Sequence, residues 1–255
     1  MPVKNSTTRF SSRVDDYIKY RPHYPVEILD LLAAICGMTP ESVIADIGSG
    51  TGILTGLFLE NGNPVIGVEP NRQMREAGED YLADYARFTS VDGTSEVSRL
   101  PSKTADFILA GQAFHWFDQV KTRIEFKRIL NDDGYVVLVW NDRRTNSTTF
   151  LRDYEALLQE FGTDYKEINH KNVQDKAVFV AFYGAMPSEA TFDNMQRLDF
   201  AGLMGRLNSS SYVPGVEDPR HASLTQRAKE IFDAHQVKGQ VSFEYDTRMY
   251  YGRIV

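Results

Sequence analysis

The sequence predicts an α/β fold built on a doubly wound, mainly parallel sheet, and three observations predict it. Val43 to Thr55 reads VIADIGSGTGILT: strand-like residues closing on Asp46, a loop with Gly48, Gly50 and Gly52, then an apolar helical segment. That is a strand, a tight turn and a helix, the opening unit of such a domain. Further short apolar runs, PVIGVE, Arg87 to Val91, Ala105 to Ala110 and YVVLVW, alternate with segments of helical periodicity. Two late strand patterns, Ala190 to Phe200 and Gln240 to Tyr250, are separated by helical material. At 255 residues the chain can bury one sizeable core, so a single domain with an added cap is expected. Its parts are residues 1–37 as N-terminal lid and packing helices, 38–141 as the ligand-binding core, and 142–255 with the late strands and a candidate substrate cap.

The glycine turn selects a ligand class. Its glycines allow dihedrals that a Cβ obstructs and a close approach of backbone to ligand. The helix that begins near Thr51 turns its free N–H groups toward that ligand. A dinucleotide fingerprint is G-x-G-x-x-G, with pyrophosphate on the helix N-terminus. Here the third glycine position of that pattern is Ile53, the spacing is G-x-G-x-G, and Asp46 precedes the turn. A carboxylate there is a poor neighbour for pyrophosphate but suits a ligand carrying ammonium and sulfonium charge, such as S-adenosylmethionine.

DIGSGTG, the acidic GVEPN segment, TSEVSRLP and GQAFHWFD follow one another in the order of the motifs of class I S-adenosylmethionine-dependent methyltransferases, which this chain resembles from about Phe10 to Asn141. Within them it is similar to the small-molecule group that includes trans-aconitate and quinone-biosynthesis methyltransferases. The resemblance implies a Rossmann-like, doubly wound, seven-stranded and mostly parallel sheet with a closing antiparallel hairpin and a helical cap. It also implies S-adenosylmethionine as cofactor and a small-molecule acceptor whose nucleophile is oxygen, nitrogen or carbon.

Composition sets outer bounds. The apolar fraction of 42% and charged fraction of 25% are those of an ordinary globular protein. A net charge of −7 argues against nucleic acid as partner, and the clustered Arg72, Arg75, Lys121, Arg123, Lys127 and Arg128 read as solvated helix faces. One cysteine, Cys36, gives neither a disulfide framework nor a thiol cluster for zinc, and it reads as an inert buried thiol. MPVKNSTTRF lacks the apolar core of a signal peptide and no run reaches transmembrane length, so the expectation is a cytoplasmic protein without a membrane partner. Oligomeric state is not legible.

In chain order, FSSRVDDYIKYRPHY (Phe10 to Tyr24) predicts a short helix stopped by Pro22. In the resembling group a similar pattern folds over the cofactor as a lid, which makes Tyr17, Arg21, His23 and Tyr24 candidate lid or substrate residues; the alternative is that the aromatics only anchor the arm. Ile28, Leu31, Leu32 and Ile35 give the next helix its apolar stripe, ended by Gly37. Glu69 lies about twenty residues past the turn, where an acid at a strand end can hold both ribose hydroxyls; the alternative is a solvated carboxylate. Pro70 flanks it, Asn71 can cap the following helix, and Met74 can face the adenine or join the core.

In DGTSEVSRLP the resemblance implies the adenine contacts, from Thr94, Ser95 and Glu96. Thr94 stands where the family has an acid, so Asp92 and Glu96 are alternatives, and two extra residues precede Leu100. Gly111 to Trp116 falls beyond the carboxyl end of the fourth strand, where ligands bind in open α/β sheets. The cofactor set is thus Asp46, Gly48, Ser49, Gly50, Thr51, Gly52, Glu69, Pro70, Met74, Thr94, Ser95, Glu96 and Gln112. Gln112 would touch the methionine part. His115 is a candidate general base by its near-neutral titration, or a residue that fixes the loop while Trp116 packs. Asp118 can cap a helix with Val120, Ile124, Ile129 and Leu130 at helical spacing. Asp133-Gly134 suggests a turn before YVVLVW, whose end, Trp140 and Asn141, is either pocket or core.

Beyond Asn141, Phe150 to Phe161 and His221 to His235 read as amphipathic helices, and residues 163–190 are ambiguous. Gly202 to Tyr212 reads as a helix and serine-rich turn offering Arg206, Asn208, Ser211 and Tyr212 to a substrate, or as an ordinary connection. Arg21, Arg143 and Arg144 are candidate carboxylate partners or plain surface charges. Two rival functions stay open. One is a nicotinamide-dependent oxidoreductase, and the other a regulatory protein that binds the cofactor without transferring a methyl group.

Overall fold

The structure is a computed structural model that describes residues 19–163, 165, 176–210 and 212–255. Seven strands form one sheet: β1 (Ile44–Ile47), β2 (Val65–Val68), β3 (Phe88–Val91), β4 (Ala105–Gly111), β5 (Leu130–Arg143), β6 (Ser188–Leu198) and β7 (Val241–Gly252). Their order is β3-β2-β1-β4-β5-β7-β6. The first five are parallel, and β7 runs antiparallel between β5 and β6. The strand order reverses between β1 and β4, and the crevice beyond their carboxyl ends is where such sheets take ligands.

Helices cover both faces: α1 (Glu27–Cys36), α2 (Ile53–Glu60), α3 (Arg72–Tyr81), α4 (Gln119–Ile129), α5 (Thr149–Phe161), α6 (Lys176–Tyr183), α7 (Phe200–Asn208) and α8 (His221–His235). Because parallel strands flanked by helices have no wet face, all of β1 is buried and Val136 to Trp140 of β5 is a continuous buried apolar run. Alternate residues of β5 feed opposite cores. Val136, Leu138 and Trp140 meet Phe114, Phe126 and Phe179 on one face, while Val137 and Val139 meet Ile28, Leu32 and Phe58 on the other. A third core joins Phe150, Tyr154, Leu203, Leu207, Leu224 and Phe243 beneath the far hairpin. No helix among the described residues is long and apolar enough to cross a membrane, and none of them form a group of metal-ligand side chains.

Four expectations are corrected. In α4 the stripe is shifted: Val120 and Ile124 are exposed, while Phe126 and Ile129 are buried together with Thr122 and Glu125. The polar pair can be buried because Ser95 and Ser98 supply its hydrogen bonds. Ile35 of α1 is likewise exposed. Asp133-Gly134 does not end an element; it lies in an irregularity within β5, where Ala105 pairs with Leu130 but Phe107 with Tyr135. The edge strand stops at Leu198, and Phe200 opens α7 because Asp199 caps it by accepting from the Gly202 N–H at 2.7 Å. The ambiguous stretch contributes α6, which buries Phe179, Phe182 and Tyr183.

Candidate functional site

The glycine turn leaves β1 at the switch point. Gly48, Gly50 and Gly52 all adopt positive φ, and a Cβ on Gly48 would stand 2.8 Å from that of Ala113. The turn is closed by the Gly48 N–H to the Val68 carbonyl (2.8 Å) and the Gly52 N–H to the Ser49 carbonyl (2.9 Å). Gly52 precedes α2, which has no side-chain cap. Glu69, at the end of β2, holds the turn from the side: its carboxylate accepts from the Gly50 N–H at 2.9 Å and the Asn71 N–H at 2.8 Å. Burial pushes this carboxyl up, and the two backbone N–H groups oppose the shift. Asn71 caps α3 by accepting from the Met74 N–H at 3.0 Å, which sets Met74 against Gly50.

These elements form one wall of a cleft open to solvent and lined by Gly48, Gly50, Glu69, Pro70, Asn71, Met74, Thr94, Ser95, Glu96, Gly111, Gln112, Ala113, Trp116 and Phe117. The loop after β3 forms the second wall. Thr94 Oγ1 accepts from the Val97 N–H, the Ser95 hydroxyl bonds Thr122, and Glu96 accepts from the Asp118 N–H at 3.1 Å. Burial works against the charge of Glu96, yet hydrogen bonds from the Asp118 N–H and from the Thr94 and Ser95 hydroxyls hold its carboxyl below the usual range. The third wall follows β4, where Gln112 turns the chain with φ of +54°. This is a costly conformation for a residue with a side chain. Its amide N–H bonds the Val139 carbonyl, and its side chain donates to the Asn141 carbonyl at 3.2 Å. Among the described residues the cleft lining thus carries two carboxylates and no lysine or arginine.

Asp46 lies beneath the turn, 1% exposed. One carboxylate oxygen accepts from the Thr55 hydroxyl at 2.7 Å, and the other, Oδ1, has no hydrogen-bond partner. Burial raises this carboxyl to about 7, with Glu69 adding to the shift and Thr55 opposing it.

Among the predicted cofactor residues, the structure brings Gly48, Gly50, Glu69, Pro70, Met74, Thr94, Ser95, Glu96 and Gln112 to one cleft. Asp46, Ser49, Thr51 and Gly52 form the turn behind that lining. Ser49 packs against Gly67 of β2, and Thr51 is buried. Asp92 is not part of the lining; it pairs with Arg75 and Arg99. Gly111, Ala113 and Phe117 line the cleft without having been singled out, although the motif GQAFHWFD contains them. Phe117 packs on Gly48, a contact that the period of a loop cannot signal.

Of the predicted catalytic and substrate residues, Trp116 lines the cleft. His115 stays outside the lining and packs on Trp116, ring centroids 4.9 Å apart. Trp140 corrects a substrate expectation. It is fully buried, edge-on to Phe114 and Tyr250, because β5 faces α6 there. Asn141 is structural: its side-chain amide donates to the Pro22 and His23 carbonyls, and its oxygen accepts from Thr247 and Asn194. Asn194 and Gln196 of β6 donate to the His23 and Tyr20 carbonyls, so residues 20–24 are fastened across the strand ends. This brings the Tyr24 hydroxyl against Gly111 beside the cleft, while Arg21 donates to the Ser209 carbonyl at 2.8 Å. Tyr17 and Ser211 lie outside the described residues. Arg144 is spent on Asp193, Glu244 and Asp246, and Arg143 pairs with Glu155.

Residues 45–138 match the family model described as methyltransferase domain. An uncharacterized methyltransferase of Mycobacterium tuberculosis is 32% identical over 140 residues, covering 55% of this chain and 55% of that protein. The alignment therefore spans about half the length of this relative. An uncharacterized methyltransferase of Schizosaccharomyces pombe is 26% identical over 249 residues, 94% of this chain and 95% of its own. Among solved structures, a candidate type II methyltransferase from Anaeromyxobacter dehalogenans superposes with a TM-score of 0.68 at 18% identity, covering 92% of this chain and 99% of that one. The seven-stranded sheet is thus the Rossmann-like sheet seen in these methyltransferase structures, and residues 45–138 are similar to a methyltransferase domain.

Proposed function

We propose that this chain is an S-adenosylmethionine-dependent methyltransferase acting on a small-molecule acceptor of the kind used by the trans-aconitate and quinone-biosynthesis group. The observation that carries the reading is the electrostatics of the cleft. Among the described residues the charged side chains that line it are Glu69 and Glu96, and the unpartnered oxygen of buried Asp46 lies under its glycine turn. Two carboxylates attract an ammonium and a sulfonium and repel a pyrophosphate, which the backbone N–H groups of the turn would otherwise hold. Ile53 in the third-glycine position and Asp46 before the turn weigh against a nicotinamide cofactor.

S-adenosylmethionine, when bound, supplies a methyl group already activated on a positive sulfur. Glu69 would hold the ribose hydroxyls with the lone pairs its two backbone donors leave, and Met74 and Ser95 with Glu96 would flank the adenine. Gln112 and the glycine turn would take the methionine part. Trp116, Phe117 and the Tyr24 side would exclude water and hold the acceptor in line, which is where most of the rate should arise. The position of His115 behind Trp116 supports a positioning role, with Trp116 as the group it orients. With a net charge of −7 the acceptor is a metabolite rather than nucleic acid.

The reading is tested by incubating the protein with methyl-labelled S-adenosylmethionine and a small-molecule extract. Label in a low-mass product, lost in Glu69→Ala, is the expected outcome. Cofactor binding with no labelled product from any extract would favour the regulatory alternative.

A further inference from the structure

α7 carries a second chemical feature, outside the cofactor cleft. Arg206 is 6% exposed, yet no carboxylate among the described residues pairs with it. Nε donates to the Tyr245 hydroxyl at 3.4 Å and Nη1 to the Ser210 hydroxyl at 3.2 Å, while Nη2 makes no hydrogen bond. Burial works against its charge, and the neighbours that offset this are the phenols of Tyr245, Tyr154 and Tyr212. A phenol hydroxyl offers a dipole and not the full counter-charge of a carboxylate.

A second guanidinium shares this cap. Arg143, at the end of β5, lies 5.0 Å over the Tyr154 ring and bonds Glu155 and Tyr165, but its Nη1 is buried without a hydrogen-bond partner. Both cations act on the Tyr154 phenol. Among the described residues Glu155 pairs with Arg143, and no carboxylate pairs with Arg206. An uncompensated buried cation is costly to fold around, and folds keep one where an anion completes it.

The topology brings this charge to the ligand edge. β7 pairs Tyr245 with Arg143, the last residue of β5, and Val241 to Glu244 continue past that strand's end beside β6. Arg143 is two residues beyond Asn141, whose carbonyl receives the Gln112 side chain from the cleft wall. The arm of residues 20–24 spans the interval. The Tyr20 ring packs on Gly205 beside Arg206, and the Tyr24 hydroxyl packs on Gly111. Four residues cover at most about 14 Å, which bounds how far apart the two backbone ends of the arm lie.

We propose that Arg206, with the spare Nη1 of Arg143 and the Tyr245, Tyr154 and Tyr212 hydroxyls, binds a carboxylate of the methyl acceptor as an anchor. Two spare N–H donors match the two oxygens of a carboxylate better than the three of a phosphate. A carboxylate held this way is a weak nucleophile, so the methyl goes to another atom of the same acceptor. The proposal rests on the methyltransferase reading, but its test does not require turnover.

The protein saturated with S-adenosylhomocysteine is heated in low-chloride buffer with benzoate or succinate, with their amides benzamide and succinamide, and with inorganic phosphate. The carboxylates should raise the melting temperature in a saturable way, the amides should act roughly tenfold more weakly, and phosphate should not exceed them. Arg206→Gln should lose the carboxylate response while still binding S-adenosylhomocysteine, and Arg206→Lys should keep part of it. If Arg206→Gln does not fold, Tyr245→Phe should weaken the response while leaving the ring in the core. Equal responses to acids and amides, a preference for phosphate, or a carboxylate response that survives Arg206→Gln or is unchanged in Tyr245→Phe would overturn the proposal. Failure of S-adenosylhomocysteine itself to bind would instead count against the cofactor reading.

Discussion

Two acids at strand ends carry the cofactor account at the scale of single residues. The place of Glu69 beside the glycine turn was legible from its spacing, but not that it accepts from the Gly50 and Asn71 N–H groups. Removing it should therefore cost both ligand and turn. Glu69→Ala is expected to weaken S-adenosylhomocysteine by at least about tenfold, as for loss of a hydrogen bond to a charged group, and to lower the melting temperature; calorimetric titration and thermal unfolding check both. Asp46 was legible by its place before the turn, whereas its protonation depends on depth, which sequence does not give. Its folded-state value of about 7 is above the unfolded one, so its ionisation disfavours the folded protein, and stability is lost as pH rises from about 4 through 7. A positive ligand reverses that balance. Cofactor affinity should rise between about pH 5.5 and 8 with proton release on binding, and Asp46→Asn should flatten both; titrations in buffers of different ionisation enthalpy measure it. Trp140 shows the converse limit: a strand-end tryptophan can serve pocket or core, and only the packing of Phe114 and Tyr250 decides.

The elements around the cleft are held by groups whose partners are distant in the chain. Glu125 of α4 accepts from the Ser98 backbone and hydroxyl and from Arg128, and so fastens the 94–100 loop to its helix. Arg128 above all, with Ser98, holds this carboxyl down at about 2. Its stabilisation is present above about pH 4.5 and lost as pH falls toward 2. Glu125→Gln should cost about 1–3 kcal/mol at neutral pH, and the difference from wild type should shrink in acid, as urea unfolding at several pH values would show. The same pairing explains why the apolar stripe of α4 was misplaced, since a buried Glu-Thr face is invisible to a count of apolar residues. The arm over the strand ends depends likewise on Asn141, Asn194 and Gln196. Asn141→Ala should expose residues 20–24 to limited proteolysis without weakening S-adenosylhomocysteine more than a few-fold, because two of the three clamps and the cleft lining persist.

At the scale of the whole molecule the parallel half was readable and the cap was not, for a physical reason. β1 to β4 lie between helices, so their apolar runs and glycine turns repeat a local code. The β6–β7 hairpin draws its pairing from strands far apart in sequence, and β6 is an edge strand with one exposed face. Its alternation was visible, but its end at Asp199 was not separable from α7, and α6 carries too little periodicity to be found between residues 163 and 190. That hairpin nevertheless sets the function's outer limits, because it outruns β5 and carries α7 and α8 to the ligand edge. Everything in the account depends on what the glycine turn holds. The most direct measurement is calorimetric titration of the protein with S-adenosylhomocysteine, with NADH as control. Saturable one-to-one binding of S-adenosylhomocysteine with no heat from NADH is the predicted result. Binding of NADH, or no binding of S-adenosylhomocysteine, would contradict it and remove the basis for every cofactor contact assigned to the cleft.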